Sequence, residues 1–207
     1  MGSVEDHVCS TFNLVILLKN QRIRTSTNRQ TFEINRIRRG FSLEVYYLNP
    51  RLSGMKFLLS KKFRNQLNHE AARSIVLSPR EDHILVSSVV ISDLDGGLPE
   101  KLGRIVIFRM DPSAKLHFLS SINLSQYELS GLRHLKFHGY VKTKFVFSGL
   151  TLNSGSTLFT FVYDFEVKKV VLVKKVRTAL DKVRRVSRIG SSLVGVDDYC
   201  KRFEIKM

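Results

Sequence analysis

From Thr157 to Glu166 the chain sets a ring at every second position. Phe159, Phe161, Tyr163 and Phe165 fall on one side, and Leu158, Thr160, Val162 and Asp164 on the other. In an extended strand successive side chains point to opposite faces of the sheet, so this spacing makes two faces. The ring row is read as the packing face of a sheet. Exposed rings on an open sheet also stack nucleobases, but no Gly-rich surface motif accompanies these four.

Short segments of the same kind recur along the chain. Phe41 to Tyr47, Met55 to Leu59, His83 to Ile91, Leu132 to His138 and Lys144 to Phe147 read as strands, and Gly103 to Arg109 reads as a strand buried on both sides. Further candidates are Lys115 to Leu124, Lys168 to Val173, Val183 to Ile189, Ser192 to Val196 and Lys201 to Ile205. Breakers separate them at Asn49-Pro50, Ser78-Pro79, Asp95-Gly96-Gly97, Asn153-Ser154-Gly155 and Gly190. Helical periodicity is weak, with Ser60 to Ala72 and Arg177 to Arg184 the best candidates. About fourteen strands at spacings of about 8 to 15 residues predict an all-β protein. The spacing suits antiparallel four-stranded blades of a partial β-propeller, between three and four of them. Trp-Asp ends and Gly-His starts are absent, so the WD-repeat signature is not met. The expected division is a basic N-terminal segment with one strand, residues 1–40, followed by blades over residues 41–207.

The chain is long enough to bury a core. It has 207 residues, 43% of them hydrophobic, with 14 Phe and 6 Tyr, which excludes wholesale disorder. The apolar runs Leu14 to Leu18 and Val170 to Val173 fall far short of the ~20 residues of a spanning helix. No membrane partner is expected. Cys9 and Cys200 fit a reducing compartment, each as a buried inert thiol. The opening residues form no secretory signal, and Asp6 stands where a myristoylation pattern needs Ser or Thr.

Charge is the strongest compositional signal. There are 34 Lys plus Arg against 18 Asp plus Glu, a formal net charge of +16. Such a bias points to polyanions or to an assembly that supplies negative surface. The cations cluster in residues 19–39, 51–80 and 168–188, while residues 81–100 contain no Lys or Arg. Segregation of this kind favours oriented docking. Lys168, Lys169, Lys174, Lys175, Arg184, Arg185 and Arg188 are predicted to form part of an anion-facing surface, with Arg36, Arg38 and Arg39 as a second part. They interleave with Val170 to Val173, Val183 and Val186. A strand whose outward side is merely basic and solvated is the competing reading.

Motifs for catalysis are missing. No phosphate-binding loop of the Gly-x-x-x-x-Gly-Lys-Ser/Thr type occurs, and Gly190-Ser191-Ser192-Leu193-Val194 fails as a nucleophile elbow at its last position. His134 and His138 share a strand face without a third ligand in view, and Asp93, Asp95 and Glu100 do not follow a calcium-loop spacing. The sequence therefore predicts no enzyme, no metal, no cofactor and no small-molecule substrate.

One ordered series of motifs stands out. Glu70-Ala71-Ala72-Arg73-Ser74 precedes the apolar Ile84-Leu85-Val86, an acidic stretch leads to Gly103-Arg104-Ile105-Val106-Ile107-Phe108, and Lys115-Leu116 follows one turn later. Upstream lies Leu48-Asn49-Pro50, and downstream Ser192 to Tyr199. Over residues 41 to 206 the series resembles the C-terminal propeller of a large-scaffold family. That family comprises the large subunit of the damage-specific DNA-binding protein, the largest cleavage and polyadenylation specificity factor subunit, and the propeller subunit of splicing factor three b. The resemblance implies a nuclear, non-enzymatic scaffold subunit of a nucleic-acid-processing complex, with RNA 3′-end processing or splicing ahead of DNA-damage ubiquitin ligation. Its partners would be other protein subunits of a large complex, and RNA. The alternative is a basic RNA-binding structural subunit of a ribonucleoprotein, in the cytoplasm or an organelle.

Overall fold

The computed structural model describes residues 3–24, 37–49, 51, 54–63, 69–92, 100–141, 143–151, 157–177, 183–189, 192–197 and 202–206. They form four antiparallel sheets, each in chain order. The first blade is β1 (Ser3–Cys9), β2 (Leu14–Arg24), β3 (Ile37–Asn49) and β4 (Gly54–Phe63). The second is β5 (His69–Leu77), β6 (His83–Ser92), β7 (Glu100–Met110) and β8 (Leu116–Asn123). The third is β9 (Leu132–Val141), β10 (Lys144–Thr151), β11 (Thr157–Asp164) and β12 (Lys169–Arg177). A three-stranded sheet follows, of β13 (Val183–Ile189), β14 (Ser192–Asp197) and β15 (Arg202–Lys206). The expected all-β architecture of meander blades is the one observed. Strand β5 packs against both β1 and β9, so the first strands of the blades face one another and β4, β8 and β12 are outermost.

Packing explains which strands alternate and which do not. On β7, Ile105, Val106, Ile107 and Phe108 are all fully buried. Val106 and Phe108 join Ile16, Leu18, Phe41 and Leu43 of the first blade. Ile105 and Ile107 join Phe145, Phe147 and Phe161 of the third. A strand with a neighbour on each face has no solvent side, hence the unbroken apolar run. The ring row of β11 behaves as read: Phe159, Phe161 and Tyr163 lie in the core between the second and third blades. Phe161 stacks on Phe147 with centroids 5.4 Å apart.

Side chains from neighbouring blades occupy the irregular points of the inner strands. The β5 ladder shifts register between Ala72 and Ser74. There the Ile75 amide and the Ser74 hydroxyl donate to Asp6 Oδ2 at 3.0 and 3.1 Å. Asn20 brackets the Ala72 backbone, accepting from its N–H at 2.8 Å and donating to its carbonyl at 3.1 Å. The Leu135 amide donates to Ser74 Oγ and the Leu132 amide to Ser87 Oγ. Buried backbone groups released from a ladder need such partners. Gly103 is where backbones come closest: a Cβ there would stand 2.4 Å from the Leu129 carbonyl oxygen and 2.7 Å from the Gly131 nitrogen.

These contacts also align the blades end to end. Ser10 and Thr11, in the turn after β1, donate to Glu81 in the turn after β5. Tyr140, near the end of β9, donates to Asp82 in that same turn. One end of the assembly therefore carries the turns after the first and third strands of each blade. The far end of β4, β8 and β12 lies at the opposite pole, with the β2–β3 hairpin.

Several expectations need correction. Ser60 to Ala72 is no helix in its described part, because 60–63 end β4 and 69–72 begin β5. Arg177 ends β12 and Arg184 lies in β13, which leaves 178–182 outside the described residues. Residues 3–24 supply two strands, and residue 40 lies inside β3, which pairs with β2. The described residues among the first forty, 3–24 and 37–40, thus belong to the first blade. Cys9 is exposed on β1, not buried. Cys200, Asp93 and Asp95 lie outside the described residues.

Candidate functional site

The outer edge of the third blade is built by β12. Among the described residues it pairs on one side only, with β11: Lys169 opposite Asp164, Val170 opposite Tyr163, Leu172 opposite Phe161, Lys174 opposite Thr160 and Lys175 opposite Phe159. The register shifts between Thr160 and Phe161, leaving Val173 as the extra residue of a bulge. Before the bulge, Val170 faces the core and Leu172 is half-buried against it. Beyond it, Lys174, Lys175 and Arg177 are all exposed. Lys175 Nζ stands 5.5 Å from the centre of the Phe159 ring, a cation–π contact at the margin of the core. Val171 and Val173 are 57% and 61% exposed, so the edge shows water both apolar and cationic side chains.

Predicted anion-facing residues fall into separate places. Lys168 sits in the turn before β12 with φ 51°, and Lys169 begins the strand. At about 3.3 Å per residue they lie about 16 to 23 Å from Lys174 and Lys175. The turn is closed by Asp164, which accepts the Glu166 amide at 3.0 Å and ion-pairs with Lys144 at 3.0 Å. The Lys144 ammonium holds the Asp164 carboxyl below its usual range. Arg38 and Arg39 lie on β3 opposite Ile23 and Arg22. Arg184, Arg185 and Arg188 lie on β13, with Arg185 opposite Val196 and Arg188 opposite Leu193. Arg36 is outside the described residues.

Sequence reading missed Arg177 and the counterparts of this edge on the other blades. Aligned by their place as fourth strands, Lys56-Phe57-Leu58-Leu59-Ser60-Lys61-Lys62-Phe63 matches Lys169-Val170-Val171-Leu172-Val173-Lys174-Lys175-Val176. Lys115 to Ile122 is the same pattern with Ser120-Ser121 in place of the paired lysines. All three strands carry a register shift against their neighbours. The signal that would have found the repeat is a Lys five residues before a polar pair and an apolar residue. It recurs at intervals of 59 and 54 residues, from Lys56 to Lys115 and from Lys115 to Lys169.

Two polar clusters lie away from this edge, and their geometry is inward. In the first, Asp82 Oδ1 receives Ser78 Oγ at 2.9 Å, Tyr140 Oη at 2.7 Å and His83 Nδ1 at 2.8 Å. Burial pushes the Asp82 carboxyl up, but the bonds from Tyr140, His83 and Ser78 outweigh it and hold it below its usual range. Burial, with the bond to Asp82, pushes the Tyr140 hydroxyl up to about 12. Ser78 and His83 spend these bonds on the same carboxylate oxygen, so this is a knot tying a turn to the third blade, not a nucleophile–base relay. In the second, Glu70 on β5, only 1% exposed, accepts Ser88 Oγ at 2.6 Å and Arg104 at 3.2 Å. Arg104 continues to Ser121 Oγ at 2.7 Å and covers the Phe63 ring at 5.3 Å. Burial pushes the Glu70 carboxyl up against the opposing pull of Ser88 and Arg104. His138, one of the two histidines considered as a ligand pair, meets Ser148 Oγ at 2.7 Å.

Fold and edge together define an all-β protein of propeller-type blades with a basic outer strand. No family model matches the chain, and no curated protein does. Among solved structures, a protein from Lactobacillus plantarum aligns at TM-score 0.42 and 10% identity, over 98% of this chain and 80% of that one. A candidate 6-phosphogluconolactonase from Bacteroides uniformis ATCC 8492 aligns at 0.38 and 9%, over 98% and 80%. Another from Bacteroides fragilis NCTC 9343 aligns at 0.34 and 8%, over 98% and 84%.

The family resemblance drawn from the ordered motifs is withdrawn, because no family model and no curated protein supports it. Of the three solved structures above, two carry a lactonase name and none is named as a damage-binding, cleavage-factor or splicing-factor propeller. The nucleic-acid-processing scaffold, its ribonucleoprotein alternative and the expectation of a non-enzyme are withdrawn with it. Likenesses at these TM-scores and identities transfer no substrate or catalytic residue to this chain. The motifs that prompted the resemblance have physical reasons of their own: Gly103 for a close approach, Glu70 and Arg104 for a buried pair, Ile105 to Phe108 for two packed faces.

Proposed function

We propose that this chain is a propeller-type binding module that docks an acidic protein segment along the outer edge of its third blade. The observation that carries the reading is the density of β12: Lys169, Lys174, Lys175 and Arg177 are exposed on one unpaired-edge strand, with no Asp or Glu among its residues. A net charge of +16 on one chain raises the energy of the compact state by self-repulsion, and an acidic partner relieves it. Val171 and Val173 favour protein over a phosphate backbone, because they offer apolar area between the cations. Lys174, Lys175 and Arg177 stand at the same pole as the paired ends of β2 and β3, where Arg38 and Arg39 lie. We include these, with Arg184, Arg185, Arg188, Lys168 and Lys169, as the longer basic set that such a partner engages.

Polyglutamate and a single-stranded RNA of equal length provide the test, titrated onto the whole protein at several salt concentrations. Polyglutamate should bind, and Lys174→Glu with Lys175→Glu should weaken it at least tenfold at ~0.15 M salt, where exposed charges are screened beyond ~8 Å. Unchanged binding by that variant would refute the site. RNA that outcompetes polyglutamate, with a log–log salt slope of ~0.7 per phosphate contacted, would refute the choice of a protein partner.

A further inference from the structure

Resting on that reading, we infer that the acidic partner is bound as an added antiparallel β-strand on the free edge of β12, with its acidic residues at its N-terminal half and apolar residues at its C-terminal half. Being last in its sheet, β12 turns one row of backbone N–H and C=O groups away from β11 over nine residues. An exposed edge of this length templates strand pairing, and peptide recognition by strand addition draws affinity from main-chain hydrogen bonds and specificity from side chains opposite. Antiparallel pairing is the more stable geometry per residue.

The order of side chains on β12 sets the order in the partner. Val171 and Val173 are exposed toward its start, and Lys174, Lys175 and Arg177 toward its end. Because Val173 is the bulge residue, the face pattern resets there, and Lys174 and Lys175 point to opposite faces. A strand running the other way meets Arg177 first, then Lys175 and Lys174, then the valines. It needs acids on both faces at its beginning and β-branched residues at its end. Residues directly opposite in a sheet bring their Cβ atoms to about 5 Å, where opposite charges stabilise and like charges oppose. The lysines that deter a second copy of this edge thus select a strand of opposite sign.

The three outer strands supply internal controls. β8 has Ser120-Ser121 where β12 has Lys174-Lys175, and both serines are engaged, Ser120 with Tyr163 and Ser121 with Arg104. β4 repeats the cationic end in sequence, Lys61-Lys62-Phe63-Arg64 against Lys174-Lys175-Val176-Arg177, but it has Leu58 and Ser60 where β12 exposes the β-branched Val171 and Val173.

A fluorescein-labelled peptide Glu-Val-Glu-Glu-Val-Thr-Val, added to the whole protein and followed by anisotropy, tests the inference. Two N-methylated forms are compared, each blocking alternate amides. One form should lose at least tenfold in affinity, because its blocked amides face β12, and the other should stay within about twofold. Lys174→Glu with Lys175→Glu should cost at least tenfold, whereas Lys61→Glu with Lys62→Glu, the same charge change on β4, should stay within about threefold. If both methylated forms bind like the parent peptide, strand addition is overturned while acidic docking stands. An equal loss from the β4 variant would overturn the assignment to β12. Failure of both the peptide and polyglutamate to bind would sink the underlying reading, and strand addition with it.

Discussion

Strands β7 and β12 are both rich in Val, Ile or Leu and both carry basic residues, yet they meet opposite fates. On β7, Ile105 to Phe108 are fully buried, and Arg104 is tied to the 1%-exposed Glu70. On β12, Val171 and Val173 are more than half exposed and the cations face water. Composition does not separate them; the number of neighbours does. A strand third in its blade has sheet on both edges and packed faces. Among the described residues the fourth strand has a bare edge, and on β12 Val170 and Leu172 reach the core while Val171 and Val173 do not. The same cation type is therefore tied to a buried acid in one place and exposed at the sheet's edge in the other.

The sharpest break of that contrast is expected inside the core. Glu70→Ala would leave Arg104 partly buried without its carboxylate and should cost about 3–5 kcal/mol in denaturant melts, as is typical when one partner of a buried pair is removed. Replacing both residues with apolar side chains of similar volume should recover most of that loss. A cost below about 1 kcal/mol for Glu70→Ala would show that the pair is solvated after all. Ile105→Ala comes next, at about 2–5 kcal/mol. A loss under half a kcal/mol would make β7 peripheral.

Tyr140→Phe should cost about 1 kcal/mol near neutral pH, since it removes a hydrogen bond to a charged Asp82. Because the Asp82 carboxyl is held below its ordinary value of 3.8, its contribution is present above that pH and is lost as pH falls through the lower folded value. The difference between Tyr140→Phe and the parent should accordingly shrink below about pH 4. A difference that stays constant into acid would assign the effect to packing. The smallest expected effect is at the edge: Lys174→Glu with Lys175→Glu should change stability by no more than about 0.5 kcal/mol. Loss of several kcal/mol there would mean that β12 is held by those lysines rather than free to dock.

How far the sequence was legible follows the same line. Period two and the breakers made strands of nearly every segment, including β11 and β7, because those signals act within a few residues. They failed at Ser60 to Ala72, where Lys61, Lys62 and the two alanines suit a helix and only the pairing of β4 with β3 and of β5 with β6 decides otherwise. Of the candidate site, Lys174 and Lys175 were legible as charge, whereas Arg177 was not singled out. Lys168 and Lys169 were grouped with the pair although the strand carries them about 16 to 23 Å away. The repeat shared by β4, β8 and β12 escaped notice because most of its positions tolerate any residue of the right polarity, and only their common place as fourth strands aligns them.

The sequence by itself determined the extended conformation, the meander order of the blades and the sign of the surface. These depend on alternation, on turn residues and on counting charges. Only the tertiary structure decided which alternating strands lost their solvent face, that Glu70 and Arg104 meet across β5 and β7, and that β12 is left with a bare edge. Those facts depend on which strands pack together, and residues far apart in the chain become neighbours only when the blades assemble.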